Sequence, residues 1–221
     1  MKTVAIVGQS QSGKTSLIRR LIPEFQKRGN SVFVIKHCGH GFTLDLEGKD
    51  SWEFSQAGAA GVGMVGPDEL AVIIKEKADS DIRQIARRHF PAADFVMVEG
   101  GPGIRGFKKI EVLGKGFGDR PASAPEDLLA IVSEEPGPSS VPCFRPRQVK
   151  EIADFLEQRS DLGDSSVFLE VDGDGLPLNP FVEILFENIL MGMVRSLKGA
   201  TANPKHVFLS LQRRDHQDEE L

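Results

Sequence analysis

The eight residues Gly8, Gln9, Ser10, Gln11, Ser12, Gly13, Lys14 and Thr15 constrain this chain more than any other stretch. They fit the spacing G-x-x-x-x-G-K-[ST], with a β-branched run at 3–7 before them and the helical spacing Leu17, Ile18, Leu21, Ile22, Phe25 after them. A strand feeding a glycine turn that opens a helix is the context a phosphate cradle needs. Gly8 and Gly13 let the backbone curl so that successive N–H groups point inward, and the positive end of the helix adds to their field. Lys14 would neutralise outer phosphates, the Thr15 hydroxyl would offer an oxygen to Mg²⁺, and Ser16 completes the expected nucleotide-binding stretch.

Downstream, strand and helix signatures alternate. Strands are predicted at 31–35, 63–65, 71–74, 95–98, 109–112 and 128–132, helices at 51–60, 80–89 and 147–159, and the first helix should end near Gly29. The alternation predicts an α/β domain of P-loop NTPase fold, a mainly parallel sheet with helices on both faces and ligands at the carboxyl ends of its strands. This domain is expected over 1–158. The run R-S-D-L-G-D-S-S at 159–166 has turn formers and charges without an apolar period, as a linker would. A small α+β unit is expected over 167–212. Its parts are a strand at 167–171, a tight D-G-D-G turn, a helix from Pro180 to a stop at Gly199, and a last strand at 206–211. That helix places Phe181, Ile184, Leu185, Asn188, Ile189 and Val194 along a broad face. The charged tail 213–221 is expected to be disordered.

Two more clusters fall at predicted strand ends. The apolar run from Phe95 ends in Glu99 and Gly100. Glu99 is a candidate for the magnesium side or for positioning water, and Gly100 would let the following loop approach the phosphates; a solvated strand-end glutamate is the plainer reading. After the second strand come Lys36, His37, Cys38, Gly39 and His40, then Asp45, then Lys49, Asp50 and Ser51. Lys36 and Lys49 would supply charge, and Asp45 or Asp50 would face the metal. A zinc site from His37, Cys38 and His40 is a rival, weakened because adjacent His and Cys side chains do not easily aim at one ion; loop polar groups closing turns are another. The candidate catalytic set is therefore Lys14, Glu99 and Asp45, and the metal set Thr15, Asp45 and Glu99.

A formal charge of -5 argues against a general grip on nucleic acid, which needs Lys and Arg in clustered excess. No apolar stretch is long enough for a membrane span, and the N-terminus lacks the pattern of a signal peptide. Two cysteines in 221 residues suit a reducing, cytoplasmic setting.

Four stretches together resemble the molybdopterin-guanine dinucleotide biosynthesis adaptor family, MobB. They are the glycine turn G-Q-S-Q-S-G-K-T, the run I-K-H-C-G-H-G-F-T-L-D-L-E-G-K-D-S with A-G-A at 57–59, V-E-G at 98–100, and K-I-E-V at 109–112. The H-x-x-H followed by G-K-D-S is the distinctive piece. The resemblance covers roughly the first 155 to 160 residues, one domain of ordinary size. It implies a homodimeric, GTP-binding protein, at most a weak GTPase, with GTP and Mg²⁺ as cofactors. Its implied partner is the MobA-like molybdenum cofactor nucleotidyltransferase that joins GMP to molybdopterin, with molybdopterin or a molybdoenzyme maturation factor as further partners. By position, Gly8, Gly13, Lys14 and Thr15 would hold phosphates and metal, with Asp45 and Glu99 around the magnesium. The family usually continues E-G-F-K where this chain reads E-G-G-P, and Phe107-Lys108 arrive only later.

Guanine preference comes from the resemblance alone, since the N/T-K-x-D base-reading pattern is absent. Ser133, Glu134, Glu135 and Pro136, after a late strand, are candidates for a base contact by topology. A small-molecule kinase using ATP is the competing activity; its lid arginines would be Arg87 and Arg88, or Arg145 and Arg147. Arg105 is the one arginine in the loop after Glu99 that could reach the phosphates. The C-terminal unit could dock a maturation partner, form a dimer contact, or pack within its own core.

Overall fold

The structure, a computed structural model, describes residues 1–75, 81–114, 121–135, 140–163, 166–201 and 203–212. Its elements are β1 (Lys2–Val7), α1 (Lys14–Lys27), β2 (Val32–Lys36), α2 (Asp50–Gln56), β3 (Gly61–Val65), β4 (Leu70–Ile74), α3 (Ile82–His89), β5 (Phe95–Gly100), β6 (Lys109–Val112), β7 (Leu128–Val132), β8 (Cys143–Phe144), α4 (Val149–Glu157), β9 (Leu169–Val171), β10 (Asp174–Leu176) and α5 (Pro180–Ser196). They form two compact units, Met1–Asp164 and Ser165–Leu221.

The first unit is built on a six-stranded sheet of order β2-β5-β1-β6-β7-β8, parallel at every pairing. Both faces are covered, so the inner strands carry buried runs such as 4–7, 95–98 and 128–132 rather than a strict alternation of apolar and polar residues. Val4 and Ile6 of β1 join one core with Leu17, Leu21 and Phe25 of α1 and Ile152 and Leu156 of α4. Ala5 and Val7 point the other way, into a second core with Val96, Val98, Ala86, Ile104 and Phe107. Arg28, just past α1, bonds Glu24 at 2.8 Å and Asp154 and Glu157 of α4 at 2.7 Å each, tying two helices on one face. Hydrogen bonds to Glu24 first, then Glu157 and Asp154, hold its guanidinium proton more firmly than usual.

The strands predicted at 63–65 and 71–74 do form, but outside the main sheet, as the antiparallel pair β3–β4. The connection 66–69 is far too short for the crossover that a parallel neighbour needs. α2 ends at Gln56, earlier than expected, with Gly58 taking φ 103 soon after. α3 is capped by Asp81, whose Oδ1 accepts from Arg83 N at 2.9 Å; Ser80, predicted to start it, lies outside the described residues. Of the stretch 159–166, residues 159–163 lie against the first unit: Leu162 is buried, and Thr3 N donates to its carbonyl at 3.0 Å.

In the second unit β9 and β10 form an antiparallel hairpin whose turn places Asp172 at φ 53 and Gly173 at φ 92, the pair of positive angles a two-residue hairpin demands. Asn179 caps α5 by accepting from Val182 N at 3.0 Å, and Pro180 opens the helix without wasting an N–H. The predicted strand at 206–211 is not formed. A strand exists only through a paired neighbour, and among the described residues β9 and β10 pair only with each other. The tail 213–221 lies outside the described residues. No helix among the described residues is long and apolar enough to cross a membrane.

Candidate functional site

Because every strand of the main sheet runs the same way, all carboxyl ends meet at one edge. In register, Val7 stands beside Gly100 on one side and Glu111 on the other, and Lys36 stands beside Glu99. Gly8 leaves β1 there with φ 149, and a Cβ on it would lie 2.4 Å from the Val112 carbonyl oxygen and 2.7 Å from Ser12 Oγ. Only glycine fits. Gln11 at φ 60 and Gly13 at φ 102 finish the curl, and Gly13 opens α1 with no side-chain cap, leaving that role to whatever acceptor arrives.

Three polar groups converge on this curl. Lys14 Nζ bonds the Gly8 and Gln9 carbonyl oxygens at 3.0 and 2.6 Å. Ser12 Oγ is buried and has no hydrogen-bond partner among the described residues, which for a native hydroxyl calls for an acceptor. Thr15 Oγ1 donates to Glu99 Oε1 at 2.6 Å, and Glu99 is only 8% exposed. The oxygen-rich pair Thr15–Glu99 beside Lys14 suits Mg²⁺ and a polyphosphate.

A Cβ on Gly100 would meet Ile104 Cδ1 at 2.3 Å, so this glycine lets the following loop fold back and bury Ile104 and Phe107. His37 N donates to the Glu99 carbonyl at 2.8 Å, holding the start of the second cluster beside β5. Beyond it, Asp45 Oδ1 accepts from Ser51 Oγ and Leu46 N, each at 2.9 Å, while Asp45 Oδ2 is buried without a partner among the described residues. Thr15–Glu99 and Asp45–Ser51 are two separate hydrogen-bonded pairs. Lys36, His37, His40, Lys49 and Asp50 are exposed, Asp50 opening α2. Among the described residues no three His, Cys, Asp or Glu side chains gather as a metal cluster, so His37, Cys38 and His40 do not assemble a zinc site.

Two buried charges escaped sequence reasoning. Glu111, 2% exposed, accepts from Ala122 N at 2.8 Å and Ser123 N at 2.9 Å, next to the strand that delivers the glycine turn. Lys109 pairs with Asp127 at 3.1 Å and bonds the Pro102 carbonyl at 3.2 Å. Their signal was charge inside an otherwise apolar strand. Lys108 bonds the Glu126 carbonyl at 2.7 Å, just ahead of β7, so it belongs to the amino edge of the sheet.

The two arginine pairs named for a kinase lid lie apart from each other in the fold, Arg147 being exposed just ahead of α4. Arg87 and Arg88 fall in the last turn of α3, shortly before β5 begins, on the edge opposite Gly8. Arg145 follows β8, three strands from β1 and thus roughly 14 Å away. Arg105 is exposed in the loop after Gly100. Ser133 is buried and its Oγ accepts from Glu135 N at 3.1 Å, Glu134 and Glu135 are exposed, and Pro136 lies outside the described residues.

Residues 3–134 match the family described as molybdopterin guanine dinucleotide synthesis protein B. The chain is 31% identical over 163 residues to the molybdopterin-guanine dinucleotide biosynthesis adapter protein of Escherichia coli, covering 69% of this chain and 90% of that protein. It is 37% identical over 98 residues to the protein of the same name from Haemophilus influenzae, and there it spans 55% of the relative's length and 44% of its own. A crystal structure of molybdopterin-guanine biosynthesis protein B, 30% identical, aligns with a TM-score of 0.54 over 70% of this chain and 96% of that one. The family match stops at residue 134, ahead of the second unit.

Proposed function

Since this chain belongs to the MobB family, we propose that it is a GTP-binding adaptor that assists the MobA-like nucleotidyltransferase attaching GMP to molybdopterin in the cytoplasm. The carrying observation is the Thr15–Glu99 hydrogen bond of 2.6 Å at the mouth of the Gly8–Gly13 curl. Gly8 to Thr15, with Ser16, would hold the triphosphate, and the unpartnered Ser12 hydroxyl supports an acceptor inside the curl. Thr15 and Glu99 would hold Mg²⁺, which when bound offsets phosphate charge. Lys14, now shared between two neutral carbonyls, has more to gain from an anionic oxygen. Asp45 would join from its loop, its free Oδ2 available to a water or metal.

Hydrolysis should be slow. Arg87 and Arg88 lie in the last turn of α3 and Arg145 follows β8, three strands from β1, which leaves Arg105, exposed in the loop after Gly100, as the candidate cation for the transition-state charge. Guanine over adenine rests on the family resemblance. A homodimer is favoured by the β3–β4 hairpin, a two-stranded sheet exposing Val65, Leu70, Val72 and Ile74, which a second copy would cover.

The test is a titration with GTP and ATP, with and without Mg²⁺. Tighter, magnesium-dependent binding of GTP is expected, with turnover well below one per second. Preference for ATP together with transfer of labelled phosphate to a small acceptor would overturn the proposal.

A further inference from the structure

The unit Ser165–Leu221 has a packing problem that its own residues leave unsolved. None of its described residues is buried, although α5 is apolar over most of its length. A unit this short is normally stabilised by disulfides, a metal or association. Both cysteines, Cys38 and Cys143, lie in the other unit, and no metal-ligating cluster exists among the described residues. Association through the exposed apolar residues of α5 is a device its own surface offers.

α5 carries two stripes. Val182, Phe186, Leu190 and Val194 recur every four residues and are half-buried. Across the helix, Phe181, Leu185, Asn188, Gly192 and Arg195 recur in steps of four and three, the spacing of a helix–helix seam, and all five are exposed. Ile184 and Ile189 widen this seam and are exposed as well.

We propose that α5 pairs antiparallel with α5 of a second copy of this chain, about a two-fold axis at Asn188. Asn188 is the middle residue of Pro180–Ser196, so the pairing keeps both helices in contact along their length. It sets Ile184 and Leu185 beside the partner's Gly192, large against small. It sets Phe181 beside the partner's Arg195, a cation over a ring. Asn188 meets the partner's Asn188, and an amide has both donors and an acceptor to satisfy its twin. Charge selects the direction. Glu183 and Glu187 occupy the first half of the helix, while Arg195 and Lys198 stand at its end. An antiparallel pair brings opposite signs and opposed helix dipoles together; a parallel pair would stack like on like. The closed two-fold arrangement uses the same face of both copies and leaves nothing open for a third.

This inference is independent of the nucleotide site. The full chain with Cys38→Ser and Cys143→Ser serves as background for three single variants, oxidised with copper phenanthroline. Asn188→Cys is expected to form a disulfide-linked dimer. Phe181→Cys and Arg195→Cys are each expected to link poorly alone and readily when mixed. Adding Leu185→Glu to Asn188→Cys should cut the cross-link at least about tenfold, as a charge in a desolvated seam costs over 1.4 kcal/mol. No link through position 188 would overturn the proposal, whether the chain is then a monomer or a dimer held through β3–β4. Phe181→Cys linking to itself as readily as to Arg195→Cys would overturn the antiparallel direction.

Discussion

The Thr15 hydroxyl and the Glu99 carboxylate, 84 positions apart in the chain, meet at 2.6 Å where the first turn of α1 faces the end of β5. Glu99 thereby orients an oxygen that Mg²⁺ would use, and among the described residues no bond occupies its second oxygen, which the metal or its water would take. Glu99→Gln keeps the shape but removes the charge. We expect GTP affinity in excess Mg²⁺ to fall by about ten- to a hundredfold, the loss typical of a charge-assisted contact, with little change when magnesium is absent. Equal losses in both conditions would remove Glu99 from the metal site.

Lys14→Ala should abolish measurable GTP binding without unfolding the chain. The lysine's two partners are main-chain carbonyls at the open mouth of the curl, which water can satisfy once the side chain is gone. Retained affinity in a folded variant would refute the assignment of the curl to phosphates.

Gly8→Ala tests the backbone instead of the charge. Its Cβ would press on the Val112 carbonyl oxygen at 2.4 Å, and backbone cannot yield as a side chain can. Loss of GTP binding together with a lower melting temperature is expected, by several degrees for a cost of about 1–3 kcal/mol. A variant that binds normally would show the curl to be looser than described.

Arg28→Ala probes the fold away from the site. Three carboxylates, Glu24, Asp154 and Glu157, would lose their shared cation between α1 and α4. A destabilisation of about 1–3 kcal/mol in urea unfolding is expected, with GTP affinity unchanged. Coupled loss of both would mean that α1 transmits its packing to the curl.

Acid should weaken the seam where the chain leaves the first unit. The hydrogen bond from Arg159 holds the Asp161 carboxyl below its ordinary range. A carboxyl depressed in the folded state contributes above its unfolded pKa, near 4, and that contribution is lost as pH falls through the lower folded value. Both side chains are about a third exposed, so the effect is small and fades with salt. Asp161→Asn should flatten the stability difference between pH 7 and pH 3 at low salt; an unchanged difference would show that the pair contributes nothing.

The glycine turn, its strand and its helix were legible in the residues because each signal is local. Gly8 and Gly13 need angles other residues avoid, α1 repeats its apolar side chains every turn, and β1, β5 and β7 carry the unbroken apolar runs 4–7, 95–98 and 128–132 because they are buried on both faces. The hairpin turn at Asp172-Gly173 and the cap at Asn179 are local in the same sense. Strand partnership is different, since the hydrogen bonds that define it join distant segments. Only the folded chain decided the order β2-β5-β1-β6-β7-β8, the separation of β3–β4 into its own sheet, and the failure of 206–211 to become a strand. It alone brought Thr15 to Glu99 and buried Glu111 against the amides of Ala122 and Ser123, because a carboxylate's partners are chosen by proximity in space and desolvation, which no spacing along the chain records.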